Sequence, residues 1–283
     1  MKIVSRLNLS CSGRAIAMTA LAALLTACAS PMGGSGSTGV PAVTDALRKE
    51  IAPTGKLRVS VLIAPAPGTM LSMRKADGSI EGVTTTLGTA LAREIGLPVE
   101  LVPVTTNGGL FDSIATRRAD VTFTQADPSR RQDMEYGPRY AKTEFTFLVS
   151  GKSGIQSLED VNKPNTRILL TNNSPFAKPL QARFPNAQFI NYGQADEGGK
   201  LLSDGKAEAL FFGRNALDGL ARKFPDTRVL SASVIELDNV IAVPKDRPLA
   251  KAYAADFMER AKKSGLVRKA LDDAGLKNVP VTQ

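Results

Sequence analysis

Three arginines, Arg130, Arg131 and Arg139, fall close together in the stretch "DPSRRQDMEYGPRY" that spans residues 127–140. Each sits among turn formers and aromatics, not in a lysine-rich tail. A guanidinium presents a rigid fork of donors matched to the two oxygens of a carboxylate, so an arginine held on a turn is a candidate clamp for one small anion. A solvated surface face and a nucleic-acid patch are the competing readings, and the stretch alone leaves all three open.

The rest of the composition narrows the chemistry. The chain contains no histidine, which removes Ser-His-Asp and Cys-His catalysis and argues against a zinc or copper centre. Its only cysteines are Cys11 and Cys28. Acid/base work by carboxylates or lysine stays open in principle. Neither Gly108-Gly109 nor Gly198-Gly199 belongs to a full glycine-rich fingerprint, so no phosphate loop or cofactor is expected. The formal charge is +9, but the basic residues are scattered and there is no tryptophan. Nucleic-acid binding calls for a clustered basic stripe with interleaved aromatics, and none is expected here.

The first residues read as an export signal. Lys2, Arg6 and Arg14 precede the uncharged apolar run 15–25, which is shorter than the roughly 20 residues a membrane span requires. It ends in Leu25-Thr26-Ala27-Cys28, which resembles a bacterial lipobox, the signal in which the cysteine is acylated and becomes the first mature residue. On this reading 1–27 is a lipoprotein signal peptide whose removal takes Cys11 with it, and 28–53 is a flexible tether and N-terminal segment. The mature domain then has no disulfide and no thiol nucleophile.

The elements that must position the arginines alternate between β-rich and helical patterns, which predicts an α/β fold with largely parallel sheets. Strands are expected at 56–63, 98–104, 120–124, 144–149, 167–170, 187–192, 207–212 and 239–243. Helices are expected at 84–95, with Leu87, Leu91 and Ile95 on one face and Gly96 ending it, and at 110–117, 197–203, 248–264 and 266–274. A further helix should end near Phe184. Phe123, Phe145, Phe147, Phe211 and Phe212 read as core, the last two facing opposite sides of one strand.

Taken in order, "GKLRVSVL" (55–62), "DGSIEGVTTTLGTALAREIGLPVELVPV" (77–104), "LFDSIATRRADVTFTQADPSRRQDMEYGPRY" (110–140), "IQSLEDV" (155–161) and "LLSDGKAEALFFGRNAL" (201–217) resemble the bacterial extracellular solute-binding proteins of the polar amino acid class, the receptors of ABC importers. The resemblance implies a two-lobed α/β periplasmic-binding-protein-like (type II) fold with two crossover strands as hinge. Lobe 1 would be 54–145 plus 242–283 and lobe 2 would be 146–241, closing around a buried ligand. It implies a periplasmic, membrane-anchored, monomeric receptor that delivers its ligand to an ABC permease in the inner membrane.

By the same resemblance Arg130 stands where the family has the arginine of a Thr-Pro-Glu-Arg turn, which grips the ligand carboxylate. Arg131 is read as its solvated neighbour and Arg139 as part of an element leading into the hinge. Thr124 and Gln125 end the strand feeding the turn, where ligands of open α/β sheets bind. Asn172-Asn173-Ser174 matches the family's loop before a helix N-terminus, where backbone N–H groups meet an anion. Ser174 is expected as the N-cap with Pro175 at the first helical position, although Pro179 implies a later start or a distorted first turn.

The departures point to the ligand. The family's acidic partner of the α-ammonium is replaced by Gly213, followed by Arg214, and its acidic helix-start positions are Thr84 and Thr86. Asn107 stands where an aromatic is frequent, and the loop 64–68 lacks the usual ring. A buried ammonium without a carboxylate is costly. The expected ligand is therefore a small carboxylate-bearing molecule, either amino acid-like or, without an ammonium partner, an organic acid or other anion with no free α-ammonium or with extra negative charge. It would be held by Arg130 with Arg214, while a surface role for Arg214 stays open. The alternatives are an enzyme resembling cyclohexadienyl dehydratases and a sensor or scaffold that has lost tight binding.

Overall fold

A computed structural model describes residues 41–64, 70–193 and 195–283. The signal segment 1–27, Cys28, the tether as far as residue 40 and residues 65–68 of the loop lie outside the described residues. In chain order the elements are α1 (Asp45–Ile51), β1 (Leu57–Leu62), β2 (Ser72–Arg74), β3 (Ile80–Gly82), α2 (Val83–Glu94), β4 (Val99–Val104), α3 (Asn107–Ala115), β5 (Val121–Gln125) and β6 (Met134–Ser150). There follow α4 (Leu158–Val161), β7 (Arg167–Thr171), α5 (Ala177–Arg183), β8 (Gln188–Tyr192), α6 (Ala195–Ser203), β9 (Ala209–Gly213), α7 (Arg214–Lys223), β10 (Thr227–Val229) and β11 (Ile235–Pro244). Helices α8 (Pro248–Lys263) and α9 (Leu266–Asp273) complete the series.

One mixed sheet runs through the described residues in the order β4-β1-β5-β11-β6-β9-β7-β8, with β10 added to β6. The first half, β4-β1-β5, is parallel, as is β9-β7-β8 in the second. The long antiparallel pair β6 and β11 joins the halves. Each half buries both faces, as parallel sheets require. In the first, β1 and β5 pack against α1, α2, α8 and α9 on one side, while Leu110, Phe111 and Ile114 of α3 join Leu62 and Met134 on the other. In the second, Phe211 packs with Phe145 and Phe147 on one face and Phe212 packs with Leu148 and Leu217 on the other, as the alternation predicts.

Several elements differ from the sequence expectation. Residues 45–51, grouped with the tether, form a helix that buries Leu47 and Ile51 and is capped by Thr44, whose hydroxyl accepts from Leu47 N–H. β6 is far longer than 144–149 because it absorbs the Tyr-Gly-Pro-Arg-Tyr element. Pro138 is tolerated there because the β6–β11 register shifts between Val240, opposite Arg139, and Ala242, opposite Tyr136. A residue without an N–H fits such an irregularity. At Gly137 a Cβ would come 2.6 Å from Ile241 Cγ2, so the close approach of the two strands demands glycine. Helix α3 starts at Asn107, not Leu110, because Thr106 caps it by accepting from Gly109 N–H.

Candidate functional site

The strands of the two halves end facing one another. β5 runs to Gln125, which is paired with Asn239 of β11, itself paired with Ala141 of β6. β9 runs the opposite way along β6 and ends at Gly213, paired with Phe145. Four residue steps along β6, from Ala141 to Phe145, therefore separate the two strand ends, about 13 Å at the rise of an extended strand. Ligands of open α/β sheets gather at such carboxyl ends.

The turn carrying Arg130 is stitched in place by its own sequence. Asp127 Oδ1 accepts from Ser129 N–H at 2.9 Å and from the Ser129 hydroxyl at 2.7 Å, and Arg130 N–H donates to Asp127 O at 3.0 Å. The Tyr136 hydroxyl donates to Asp127 O at 3.0 Å, and burial pushes that phenol above its usual pKa. On this pinned turn the Arg130 guanidinium lies 5.1 Å over the Phe111 ring and 3.8 Å from Asp133 Oδ2, with 37% of its side chain exposed. It makes no side-chain hydrogen bond among the described residues, so its donor fork is uncommitted. Arg131 is exposed, with its guanidinium 5.8 Å over the Tyr136 ring. Arg139 lies 3.8 Å from Asp238 across the two joining strands.

Arg214 differs from expectation. Its Nε donates to Glu144 Oε2 at 2.7 Å, Nη1 to Leu230 O at 2.9 Å, and Nη2 to Ser231 O at 2.7 Å and Ser233 Oγ at 3.2 Å. The Ser233 hydroxyl, with Arg214 beside it, holds the Glu144 carboxyl below the usual carboxylate range. A fork so committed is not available to an anion, and Arg214 is corrected to a brace between β6 and the 230–233 loop. Its neighbour Gly213 is open: a Cβ there would meet only Thr143 Cγ2, at 4.0 Å.

Thr124 is buried opposite Val240, and Gln125 is partly exposed at the strand end. In the other half Asn172 and Asn173 are exposed, and Asn173 has the left-handed φ of 57° that asparagine tolerates. Ser174 does not cap α5. Its hydroxyl accepts from Phe176 N–H at 3.3 Å, Phe176 takes the N-cap position, and Pro179 falls at the third helical residue, whose N–H has no partner within the helix. Asn107 is exposed as the first residue of α3. Thr84 is buried, and its Oγ1 lies 2.5 Å from Ser72 Oγ in a hydroxyl cluster that includes Thr85, so no charge stands there.

Two residues that the sequence did not mark as site residues, Asn239 and Thr143, link β11 to β6 at the strand ends. Asn239, 2% exposed and level with Gln125, donates from Nδ2 at 2.8 Å to Oγ1 of Thr143, which lies midway along β6 between the residues level with Gln125 and Gly213. The available signal was an asparagine opening an otherwise Val/Ile/Ala strand, a residue that strands disfavour. Among the described residues no group of three or more His, Cys, Asp or Glu is placed to hold a metal, and no helix is long and apolar enough to cross a membrane.

Comparison with known proteins agrees with this architecture. Over 208 residues the chain is 26% identical to a glutamine-binding protein of Geobacillus stearothermophilus, covering 70% of this chain and 75% of that one. An amino acid ABC transporter substrate-binding protein of Streptococcus pneumoniae, solved with L-arginine bound, superposes with a TM-score of 0.64 at 19% identity, covering 80% of this chain and 97% of its own. An ancestral amino acid-binding protein described as a precursor of cyclohexadienyl dehydratase has the same fold, with a TM-score of 0.64 at 24% identity over 80% of this chain and 97% of its own. Residues 62–274 match a defined family across most of the chain. This chain belongs to the bacterial extracellular solute-binding proteins, family 3.

Proposed function

We propose that this protein is the receptor of an ABC importer for a small carboxylate-bearing solute that lacks a free α-ammonium. Lobes 54–145 plus 242–283 and 146–241 close around it, with the protein acting as a monomer in the periplasm and anchored through Cys28. The observation that carries this reading is the asymmetry between the two strand ends. Arg130 offers an uncommitted guanidinium on one side, and Gly213 offers no charge on the other. A carboxylate gains a bidentate partner there, whereas an ammonium enters unpaired. Thr124, Gln125, Asn107 and 172–174 supply neutral donors and acceptors around it. The protein carries out no chemistry on the solute.

A thermal-shift screen of amino acids, keto acids, dicarboxylates and aromatic acids tests this. A binder at 100 times its dissociation constant stabilises the fold by about 2.7 kcal/mol. The expected hits are acids without an α-ammonium. An ordinary α-amino acid as best binder sinks the ligand assignment, no shift with any compound favours the scaffold reading, and turnover of prephenate favours the enzyme.

Gly213→Asp is expected to turn the preference around. Gly213 has φ −63° and ψ 131°, open to any residue, and it is the N-cap of α7 with no side-chain cap bond. Aspartate fits the space and adds a few tenths of a kcal/mol as a cap. By supplying a partner for an ammonium it should raise affinity for α-amino acids about tenfold or more while weakening plain acids. Titration calorimetry on both proteins reads the switch, and an unchanged ranking would show that Gly213 does not face the solute.

A further inference from the structure

The segment after α9 does more than close the core. Arg268 of α9 donates from Nη1 to Val279 O at 2.6 Å and from Nη2 to Leu276 O at 2.8 Å, and Leu276 and Val279 are buried in the core of the first half. From that anchorage the chain reaches the joining strand β6. Val281 forms an antiparallel bridge with Ala141, and Thr282 N–H donates to Tyr140 O at 3.1 Å.

The place it grips is one of the two irregularities in the pairing of β6 with β11. Ala141 pairs with Asn239 and Arg139 with Val240, so Tyr140 is an extra residue in the ladder to β11. A bulge of this kind is where backbone dihedrals change most readily without breaking a run of paired bonds. The same segment also faces the other half. Lys277 and Asn278 line a groove of about 420 Å³ opposite Asn215, Asp218 and Arg222 of α7. Where the segment docks on β6, Thr282 Oγ1 is buried without a partner among the described residues, so the docked arrangement tolerates one unsatisfied hydroxyl.

We propose that residues 274–283 are a third strap of the hinge, beside the two joining strands. They hold β6 at Tyr140–Ala141 and limit how far the half carrying α7 swings from the first. This rests on the reading above that the two halves move about β6 and β11. Any such rotation that changes the dihedrals at Tyr140 must either carry the strap along or peel it off. The strap thereby sets the balance between open and closed forms without touching the solute.

The test needs no ligand. In the full chain with Cys11→Ser and Cys28→Ser, dyes on Ala76→Cys and Asp204→Cys, both exposed and one in each half, report the distance between halves in single molecules. The comparison proteins are Thr282→Pro, which removes the donor to Tyr140 O and confines Val281 to the extended backbone that its bridge already uses, and a chain ending at Pro280. Both are expected to change the ratio of long to short distances roughly five- to tenfold, the worth of one intramolecular hydrogen bond. Thr282→Val keeps the N–H and should keep or narrow the parent distribution. Parent-like distributions in both comparison proteins overturn the strap. If the shortened chain does not fold by circular dichroism, Thr282→Pro alone decides. A distance change on adding the best compound from the thermal-shift screen to the parent reports separately on lobe closure, so the two ideas fail independently.

Discussion

Replacing Asp120 by alanine is expected to destabilise the fold by about 3–5 kcal/mol, the cost of removing one partner from a buried ionic group. Asp120 is 0% exposed and sits immediately before β5. Its Oδ2 accepts from Arg58 N–H at 3.1 Å and Nε at 2.9 Å, and its Oδ1 accepts from Arg58 Nη2 at 2.7 Å and Arg247 Nη1 at 3.0 Å. The Arg58 guanidinium is held even more firmly protonated by its hydrogen bonds to this carboxylate. One carboxylate thus joins β1, β5 and the start of α8, and its loss leaves two guanidiniums facing each other with Arg247 8% exposed. At this size the change should lower Tm by about 10 °C or more. Because the pair is buried, the loss should persist at about 1 M salt, where exposed pairs are screened. Asp120→Asn keeps one acceptor and should lose less. Urea denaturation of the three proteins measures this, and a loss below about 1 kcal/mol would place the group among ordinary surface pairs. The network lies at the opposite ends of the strands from Gln125, so solute affinity of the folded fraction should be unchanged.

The contrast between Asp120 and Arg130 shows what a sequence discloses. The alternation of strand and helix was legible because it is written in local periodicity: Leu87, Leu91 and Ile95 share a face, and Phe211 and Phe212 divide between two cores. The turn at 127–130 was legible for the same reason, since the Asp127–Ser129 bonds that shape it span two residues. The Asp120 group and the bracing of Arg214 were not, because their partners are distant in the chain. Arg214 meets Glu144 across 70 positions and Arg247 meets Asp120 across 127. No spacing rule connects them, so a family position alone could not separate an arginine with free donors from one whose donors are taken. The long β6 was hidden by Pro138, which argues against a strand unless the irregular pairing with β11 is already known. Asn239 and Thr143 were hidden because their pairing exists only once β6 and β11 lie side by side.

That distinction between the two arginines predicts opposite outcomes for the same substitution. Arg130→Ala should weaken binding of the best compound from the thermal-shift screen by 2–5 kcal/mol, roughly thirty- to several-thousandfold, because it leaves a carboxylate in a closing cleft without its fork. The fold should barely respond. Among the described residues the Arg130 side chain is tied only by a 3.8 Å approach to Asp133 and a cation–π contact with Phe111, together worth about 1 kcal/mol. Arg130→Lys should recover little affinity, since an ammonium supplies the charge but not the paired donors. Arg214→Ala should do the reverse. It strips Glu144 of its closest cation, leaves Ser231 O without its donor and leaves Leu230 O only the Thr146 hydroxyl at 3.3 Å, so stability falls first, and affinity changes only as far as α7 and the 230–233 loop shift. Arg131→Ala should change neither. Calorimetric titration and thermal denaturation of the four variants separate these outcomes. If Arg130→Ala binds as the parent does, or if Arg131→Ala loses as much, the solute is held elsewhere and the uncommitted fork at residue 130 is an ordinary surface charge.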